Sequence, residues 1–320
     1  MLSYRTFRNT DPPVLTALWR SRRGQVGLLQ PVSVDLLEQF IFGKLYFDYG
    51  GLVLAMDDGQ PVGFAHAGFG PNENLSHLST QQGVVCVLIV RPELGPRQEE
   101  IASGLLAHCE EYLWARGAGT IFGGAVQPLI PFYLGLYGGA RPPGVLEADS
   151  LALETYRSHG YEEVGRTLIF CRDLGAFRPL VDRQQMQFRR QMSVEVKIDP
   201  PSRNWWEACT VGDFDLTRFE IVSRGANVPL ATAIVRSLDP GMALCQPPAA
   251  GIMDLRVDPT CQRQGLGTFV LGEAFRQLAR EGIASVEVEV RDDDQAALGL
   301  CRKLGMQQTN QGHTFRKIRQ

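Results

Sequence analysis

The sequence predicts an α+β (mixed α/β) protein made of two related domains in tandem, and three observations support this prediction. The chain has 320 residues, about twice the length of a typical domain, and its 44% hydrophobic and 21% charged residues are typical of globular proteins. Two strand-like runs, 84–90 and 251–257, each end in Val-x-Pro and precede a polar loop and an amphipathic helix. Each of these helices leads through a glycine to another short strand.

Equivalent residues of the two repeats are separated by one fixed distance in sequence through the helix and by a shorter distance after it. Gly117 and Gly282, each expected at a helix C-terminus, lie 165 residues apart. Gly160 and Gly305, which close the two repeats, lie only 145 residues apart. The first repeat therefore carries 20 additional residues, and they fall within the Gly- and Pro-rich segment 123–149.

The repeats also predict the domain boundaries. We expect an N-terminal domain over residues 1–175 and a C-terminal domain over residues 195–320. Between them, residues 176–194 are rich in glutamine and arginine and predict a polar linker helix.

The two domains are expected to begin differently. In the first, apolar residues at helical spacing predict helices over about 12–23 and 32–49, ahead of the repeat. The second half shows no obvious equivalent of this pair and enters strands directly near 219–222 and 230–236. A helical pair is therefore predicted for the first domain alone.

The composition argues against several classes of protein. With 32 basic and 35 acidic residues the net charge is −3, so nucleic acid is not an expected partner. There is no apolar window of about 18 residues and no hydrophobic leader, so no membrane association is expected. The seven cysteines include no CxxC pair and the five histidines are scattered, which predicts neither a metal site nor a disulfide framework. The expected location is the reducing cytoplasm.

The strongest local motif is Gln262-Arg263-Gln264-Gly265-Leu266-Gly267, between the strand at 251–257 and the following helix. The first turn of a helix presents unpaired backbone N–H groups and the positive end of a dipole, and glycine lets the backbone approach an anion closely. Arg263 adds a guanidinium suited to phosphate oxygens. The motif predicts a pyrophosphate site, or else a tight strand-to-helix turn.

The order of motifs around this loop resembles the GNAT superfamily of acetyl-CoA-dependent N-acyltransferases. The resemblance rests on Val257-Asp258-Pro259, the glycine loop, the helix and strand after it, and the turn Lys303-Leu304-Gly305-Met306, and it covers roughly residues 250–306. The glycine spacing differs from the Rossmann Gly-x-Gly-x-x-Gly, and no Walker-type Gly-Lys-Ser/Thr follows. The resemblance implies that each domain has a mostly antiparallel central sheet flanked by helices.

The resemblance also implies which residues bind acetyl-CoA (coenzyme A). The backbone of Leu255, Arg256 and Val257 would pair with the pantetheine arm like an added strand. Asp294 stands where many members have an asparagine that touches the cofactor, or it is simply the N-cap of the next helix. The backbone amides that would hold the pyrophosphate are those of Gln262, Arg263, Gln264, Gly265, Leu266, Gly267 and Thr268.

The first half carries the same scaffold with an altered loop. Glu100 and Ala102 stand where the two glycines are expected, Glu99 and Glu100 would repel a pyrophosphate, and Pro96 removes an N–H donor. We therefore expect this half not to bind coenzyme A in the usual way. The chain resembles tandem members with an active C-terminal half, the arrangement of mycothiol synthase-like enzymes. The N-terminal half would buttress the site or contribute to the acceptor pocket.

Amide transfer requires a neutral amine and a proton donor for the departing thiolate. Glu289 matches the glutamate that serves as base in ribosomal-protein alanine acetyltransferases, or it lies with Glu287 on a solvated face; Asp254 and Asp258 are weaker alternatives. Cys301 occupies the place of the family's usual tyrosine acid. It is a candidate donor or a small core residue; in the second case the acid comes from elsewhere, or thiolate departure needs no fixed donor.

The predicted function is direct transfer of an acetyl group to an amine of a small molecule or protein, within a ternary complex. The alternatives are a non-catalytic acyl-CoA-binding sensor or scaffold, and an interaction module in which neither half binds a ligand. Trp205-Trp206 and the aromatic segment 132–137 either line an acceptor site or pack in the core. The segment 138–144 is long enough to form a lid. No oligomeric state is predicted.

Overall fold

The computed structural model describes residues 1–225, 228–238 and 247–319. The α-helices are α1 (Pro12–Ser21), α2 (Val34–Leu37), α3 (Arg97–Ala115), α4 (Ser150–Ser158), α5 (Arg183–Gln191), α6 (Trp205–Val211), α7 (Leu266–Arg280) and α8 (Gln295–Lys303). The strands of the first half are β1 (Leu2–Thr6), β2 (Leu52–Asp57), β3 (Gln60–Pro71), β4 (Leu78–Val90), β5 (Thr120–Gly123), β6 (Val145–Leu146) and β7 (Glu162–Asp173). The second half adds β8 (Met192–Ile198), β9 (Leu216–Ser223), β10 (Pro229–Leu238), β11 (Ala249–Val257), β12 (Ser285–Arg291) and β13 (Gln307–Ile318).

All of these strands join one continuous sheet in the order β1-β2-β3-β4-β5-β13-β7-β12-β11-β10-β9-β8, with β6 beside β13. Among the described strands, only the pairs β4–β5 and β11–β12 are parallel. The order is symmetric about the central β13–β7 pair, because each half contributes five strands outside it in corresponding positions. The predicted mixed α/β fold with two related halves and a mostly antiparallel sheet is confirmed.

The two halves exchange their final strands across the centre of the sheet. β7, from the first half, pairs with β12 from Thr167 to Asp173. β13, from the second half, pairs with β5 and so enters the sheet of the first half. Each exchanged strand buries an aromatic ring in the other half: Phe315 of β13 stacks on Tyr156 at 5.4 Å, and Phe170 of β7 joins the core under α7. The halves that are separate in sequence therefore share strands in space.

Three apolar clusters form the core. One packs α3 and α4 against the sheet of the first half, and another packs α7 and α8 against the sheet of the second. The third lies on the opposite face and combines α1, the additional segment of the first repeat and residues of β10 and β11. The additional segment therefore joins the cores of the two halves.

Several helix predictions need correction. The helix predicted over 32–49 is confined to α2 and one π-helical turn, Glu38–Phe42, because the Gly43 N–H bonds the carbonyl of Glu38 and the chain then turns. α6 was not predicted, although Asn204 caps it by accepting from the Glu207 N–H at 2.9 Å, a recognisable N-cap pattern. The linker forms α5 over a shorter range than expected, followed at once by β8.

The prediction that all cysteines are reduced is wrong at one position. Cys171 is disulfide-bonded. The free thiols in the described part of the chain are those of Cys86, Cys109, Cys209, Cys261 and Cys301. The cysteine count and the lack of a CxxC pair gave no signal of this bond, because pairing of distant cysteines depends on the fold.

Candidate active site

A V-shaped cleft opens between β11 and β12. The two strands pair only where Ala249–Gly251 faces Ser285–Glu287, and they diverge beyond these residues. Leu255, Arg256 and Val257 pair with β10 on one side only. Among the described residues their other edge has no strand partner, and such an edge can accept an extended chain by main-chain hydrogen bonding.

The glycine loop lies at the mouth of this cleft, and its backbone is shaped for an anion. Gly265 is the N-cap of α7 with φ +82°, and Arg263 also has a positive φ of +62°. Within the ranges that the structure describes, no backbone N–H from Gln262 to Thr268 donates to a protein acceptor. These free donors at a helix N-terminus fit a pyrophosphate.

The linker helix α5 holds this loop from behind. Gln184 donates its Nε2–H to the carbonyl of Gln264 at 2.8 Å, and the buried Gln185 donates to the carbonyl of Gly265 at 3.4 Å. With these carbonyls directed toward α5, the loop amides are directed away from it. Sequence reasoning missed this role, because a Gln-rich segment indicates a polar helix and not what that helix contacts.

The corresponding region of the first half has no such loop. When the two halves are aligned by their offset of 165 residues, α3 and α7 end at equivalent positions, Ala115 and Arg280. In the same alignment α3 begins a full helical turn earlier than α7. Ala102, which stands where Gly267 is in the second half, is therefore inside the helix, where its N–H serves the helix itself. Glu99 and Glu100 are exposed in the first turn of α3. The first half therefore has an additional helical turn where the second half has the glycine loop.

Glu289 of β12 lies beside Gly139 of the additional segment, in an unusual environment. Both of its carboxylate oxygens are buried from solvent, and the nearby backbone N–H of Arg141 favours the charged form. Burial, reinforced by the neighbouring Glu287, raises the pKa of Glu289 to about 8, and Arg141 only partly opposes this shift. A carboxyl group whose pKa lies close to neutral pH is suited to accept and return a proton.

The segment 138–144 forms a fixed wall of this site and not the lid that its length suggested. Buried Arg236 donates to the carbonyls of Gly139 at 2.9 Å and Ala140 at 3.1 Å. The Ala140 N–H in turn donates to Glu287 Oε1 at 3.1 Å. A Cβ on Gly139 would lie 1.6 Å from that same oxygen, so only glycine permits this approach. The additional segment of the first half thus completes the site of the second.

A pocket lies between this segment, α6 and β11. Its apolar lining includes Ile130, Leu134, Trp206, Ile234 and Met253. Of the predicted aromatic lining residues, Trp206 is present, whereas the ring of Phe132 packs on His66 at 4.3 Å in the core of the first half. Trp206 also donates its indole N–H to the carbonyl of Pro128 at 2.8 Å, which fixes the ring.

The two other candidate bases are already engaged. Asp254 accepts from Arg203 at 2.6 Å and from Arg256 at 2.9 Å. Asp258 accepts from the Thr260 side chain and backbone, which lowers the pKa of its carboxyl group. Neither carboxylate is as available for proton transfer as that of Glu289.

The two predicted residues on and before α8 have clear structural roles. Asp294 accepts from the Ala297 N–H at 2.9 Å and caps the helix, as one of its two interpretations predicted. Cys301 is buried in the apolar cluster of the second half. Burial raises the pKa of its thiol to about 11.

The described residues contain no group of three or more potential metal ligands and no helix long and apolar enough to cross a membrane. Arg141 and Arg236, which the sequence did not identify, are the main additions to the site. For Arg236 a signal exists, since a charged residue within an otherwise apolar strand run indicates a buried partner. For Arg141 none exists, because its loop reaches the site only through the fold.

Comparisons with known proteins agree on one family. The model described as "Acetyltransferase (GNAT) family" matches residues 17–136 and 184–306, more than half of the chain. The chain is also 39% identical over 56 residues to the ribosomal protein bS18-alanine N-acetyltransferase of Escherichia coli K12. That match covers 18% of this chain and 38% of the E. coli enzyme.

Solved structures resemble the whole chain. A GCN5-related N-acetyltransferase from Sphaerobacter thermophilus has a TM-score of 0.65 at 16% identity, covering 99% of this chain and 95% of that one. A tandem GNAT protein from the clavulanic acid biosynthesis pathway has a TM-score of 0.67 at 13% identity, with 99% and 98% coverage. At these identities the likeness establishes the fold.

Proposed function

Because the chain belongs to the acetyltransferase (GNAT) family, we propose that it transfers the acetyl group of acetyl-CoA to an amine bound beside Glu289. The observation that carries this proposal is the carboxyl group of Glu289 on β12, whose two oxygens are buried beside Gly139 of the additional segment. The acceptor is an amine of a small molecule or a protein. The proposed location remains the cytoplasm.

The donor would be held by backbone groups of the second half. Leu255, Arg256 and Val257 offer the unpaired edge of β11 to the pantetheine arm, and the amides of Gln262 to Thr268 offer hydrogen bonds to the pyrophosphate. Arg263 adds a cation, and Asp294 stands at the start of α8 beside this region. The N-terminal half is proposed not to bind coenzyme A, since α3 has a helical turn in place of the loop.

Acetyl-CoA supplies a thioester carbonyl carbon that a neutral amine can attack. Glu289 in its ionised form takes the proton from the attacking nitrogen as the C–N bond forms. The same carboxyl group then returns this proton to sulfur as the C–S bond breaks, because its pKa of about 8 is close to that of an ordinary thiol. No covalent intermediate on the protein is required.

Cys301 stays a candidate for the proton donor. Its pKa of about 11 makes it a weaker acid than an ordinary thiol near 8.5, so proton transfer from it to a departing thiolate is unfavourable. We therefore favour Glu289 as both base and acid. If Cys301 is the donor, C301S should lower kcat more than it lowers acetyl-CoA affinity.

The linker helix gives a testable prediction about donor binding. We expect Gln184→Ala to weaken acetyl-CoA binding about threefold to tenfold, because it removes one hydrogen bond that orients the loop. Gln187→Ala on the same helix is the matched control, since Gln187 is exposed and contacts only Gln191 among the described residues. Isothermal titration calorimetry measures both, and equal affinities for the two variants would contradict the role of α5.

A second candidate function is a non-catalytic acyl-CoA sensor, which the cysteine at position 301 favours. Titration of acetyl-CoA should give about one site per chain under either function. Thiol release from acetyl-CoA, followed with a chromogenic thiol reagent across a panel of amines, separates the two. Amine-dependent release is expected for the enzyme, whereas binding without release from any amine would refute catalysis.

A further inference from the structure

The pocket near Glu289 contains a guanidinium that attracts three carboxylates, Glu289, Asp254 and Glu207, but forms an ion pair with none of them in the described chain. Arg141 reaches it from the additional segment of the first half. In the described chain its side chain makes no hydrogen bond or ion pair, and its Nε is buried without an acceptor. A buried cation without a partner is costly, so such a group usually has a ligand.

The neighbouring carboxylates do not satisfy Arg141. Glu207 accepts from Arg203 at 2.9 Å, and Asp254 is bound by Arg203 and Arg256. Glu289 lies near the backbone N–H of Arg141, but its carboxylate makes no hydrogen bond to the guanidinium. The pocket therefore keeps one positive charge available for an anion.

The remaining lining contains both polar and apolar residues, and the reactive amine must reach Glu289. Trp206, Leu134, Ile130, Ile234 and Met253 provide a surface suited to an aliphatic or aromatic group. The pocket therefore offers a guanidinium and an apolar surface, and Glu289, which does not line it, lies close to Arg141 as a proton acceptor. These three features match an amine, a carboxylate and a hydrocarbon side chain joined in one small molecule.

We propose that the acceptor is a free amino acid with an apolar side chain, whose carboxylate pairs with Arg141 while its amine faces Glu289. This inference rests on the proposed acetyl transfer and names its substrate class. A guanidinium binds a carboxylate through two parallel N–H···O bonds, which fixes the position of the attached amine. The α-amine of a protein N-terminus has no adjacent carboxylate, so a small molecule is favoured over a protein.

The test compares acceptors that differ only in the carboxylate. L-Leucine and L-phenylalanine are paired with 3-methylbutylamine and 2-phenylethylamine, and kcat/KM is measured by thiol release from acetyl-CoA. We expect the wild type to prefer the amino acids about tenfold to hundredfold, as for a charged hydrogen-bonded pair. Arg141→Met should abolish this preference by lowering kcat/KM for the amino acids and not for the amines. Arg280→Met, at an exposed arginine of α7, is the control and should keep the preference.

Equal use of amine and amino acid by the wild type would overturn the proposal, as would an equal loss on both acceptors in Arg141→Met. A preference for O-phosphoethanolamine over both amino acids would assign Arg141 to a phosphate and refute the carboxylate. Calorimetric titration of L-leucine and L-phenylalanine in the presence of coenzyme A separates this inference from the proposed function. Binding that depends on Arg141 without turnover supports the carboxylate site and refutes transfer; no binding refutes the site.

Discussion

Glu289→Gln is expected to lower kcat for acetyl transfer about 100-fold to 1,000-fold, the usual contribution of a general base. The amide keeps the shape of the carboxyl group but cannot take the proton of the attacking amine. Affinity for acetyl-CoA should stay within about twofold, because the donor contacts lie on the glycine loop and β11. Thiol-release kinetics and calorimetry measure the two quantities separately.

The pH dependence follows from the raised pKa of Glu289. The wild-type rate should rise with pH until Glu289 is ionised near pH 8, and this limb should disappear in Glu289→Gln. The free energy of unfolding should change in the opposite direction and decrease as pH rises. Between the unfolded pKa of about 4.3 and the folded value, the native state binds more protons than the unfolded state, so wild-type stability falls as pH rises. Glu289→Gln should lack this fall, as thermal unfolding at several pH values will show.

Glu281→Gln is the matched control, because Glu281 is exposed at the end of α7 and its side chain contacts Gln277. It should retain wild-type kinetics and the wild-type pH limb. A Glu289→Gln variant with undiminished kcat would remove Glu289 from the mechanism.

Gly265→Val is expected to weaken acetyl-CoA binding at least about 100-fold. A β-branched residue strongly disfavours the left-handed backbone at φ +82°, and its Cβ would lie 3.2 Å from Gln184 Oε1. The loop must then move, and its amides lose their common direction. Calorimetric titration of acetyl-CoA measures the effect, and thermal unfolding of the variant confirms that it is folded.

Glu100→Ala is the counterpart in the first half, at the position equivalent to Gly265. Glu100 is exposed in the first turn of α3, so this change should leave acetyl-CoA affinity unaltered. Loss of binding in Glu100→Ala would place an acetyl-CoA site in the first half. It would contradict the proposal that the second half alone binds acetyl-CoA.

The sequence predicted the features that depend on local pattern. The glycine loop and the equivalent ends of α3 and α7 follow from residue spacing, which sets helix and turn geometry directly. The missing glycines at Glu100 and Ala102 predicted the altered loop, although not the additional helical turn. Local pattern also indicated Glu289, but its pKa depends on burial by segment 138–144.

The features that the sequence did not predict depend on contacts between distant parts of the chain. Neither β7 nor β13 shows a strict alternation of polar and apolar residues, and nothing within them specifies the neighbour on either side. Arg141 and the glutamines of α5 act on residues more than 70 positions away in sequence. Their roles appear only once the halves are packed together.

The exchange of β7 and β13 also bears on how the chain matures during synthesis. The first half has a gap between β5 and β7 that only residues 307–318 can fill. While these residues are still unmade on the ribosome, the emerging first half exposes two unpaired strand edges, which are prone to misassociation. The first half thus cannot complete its native sheet before residues 307–318 have been synthesised.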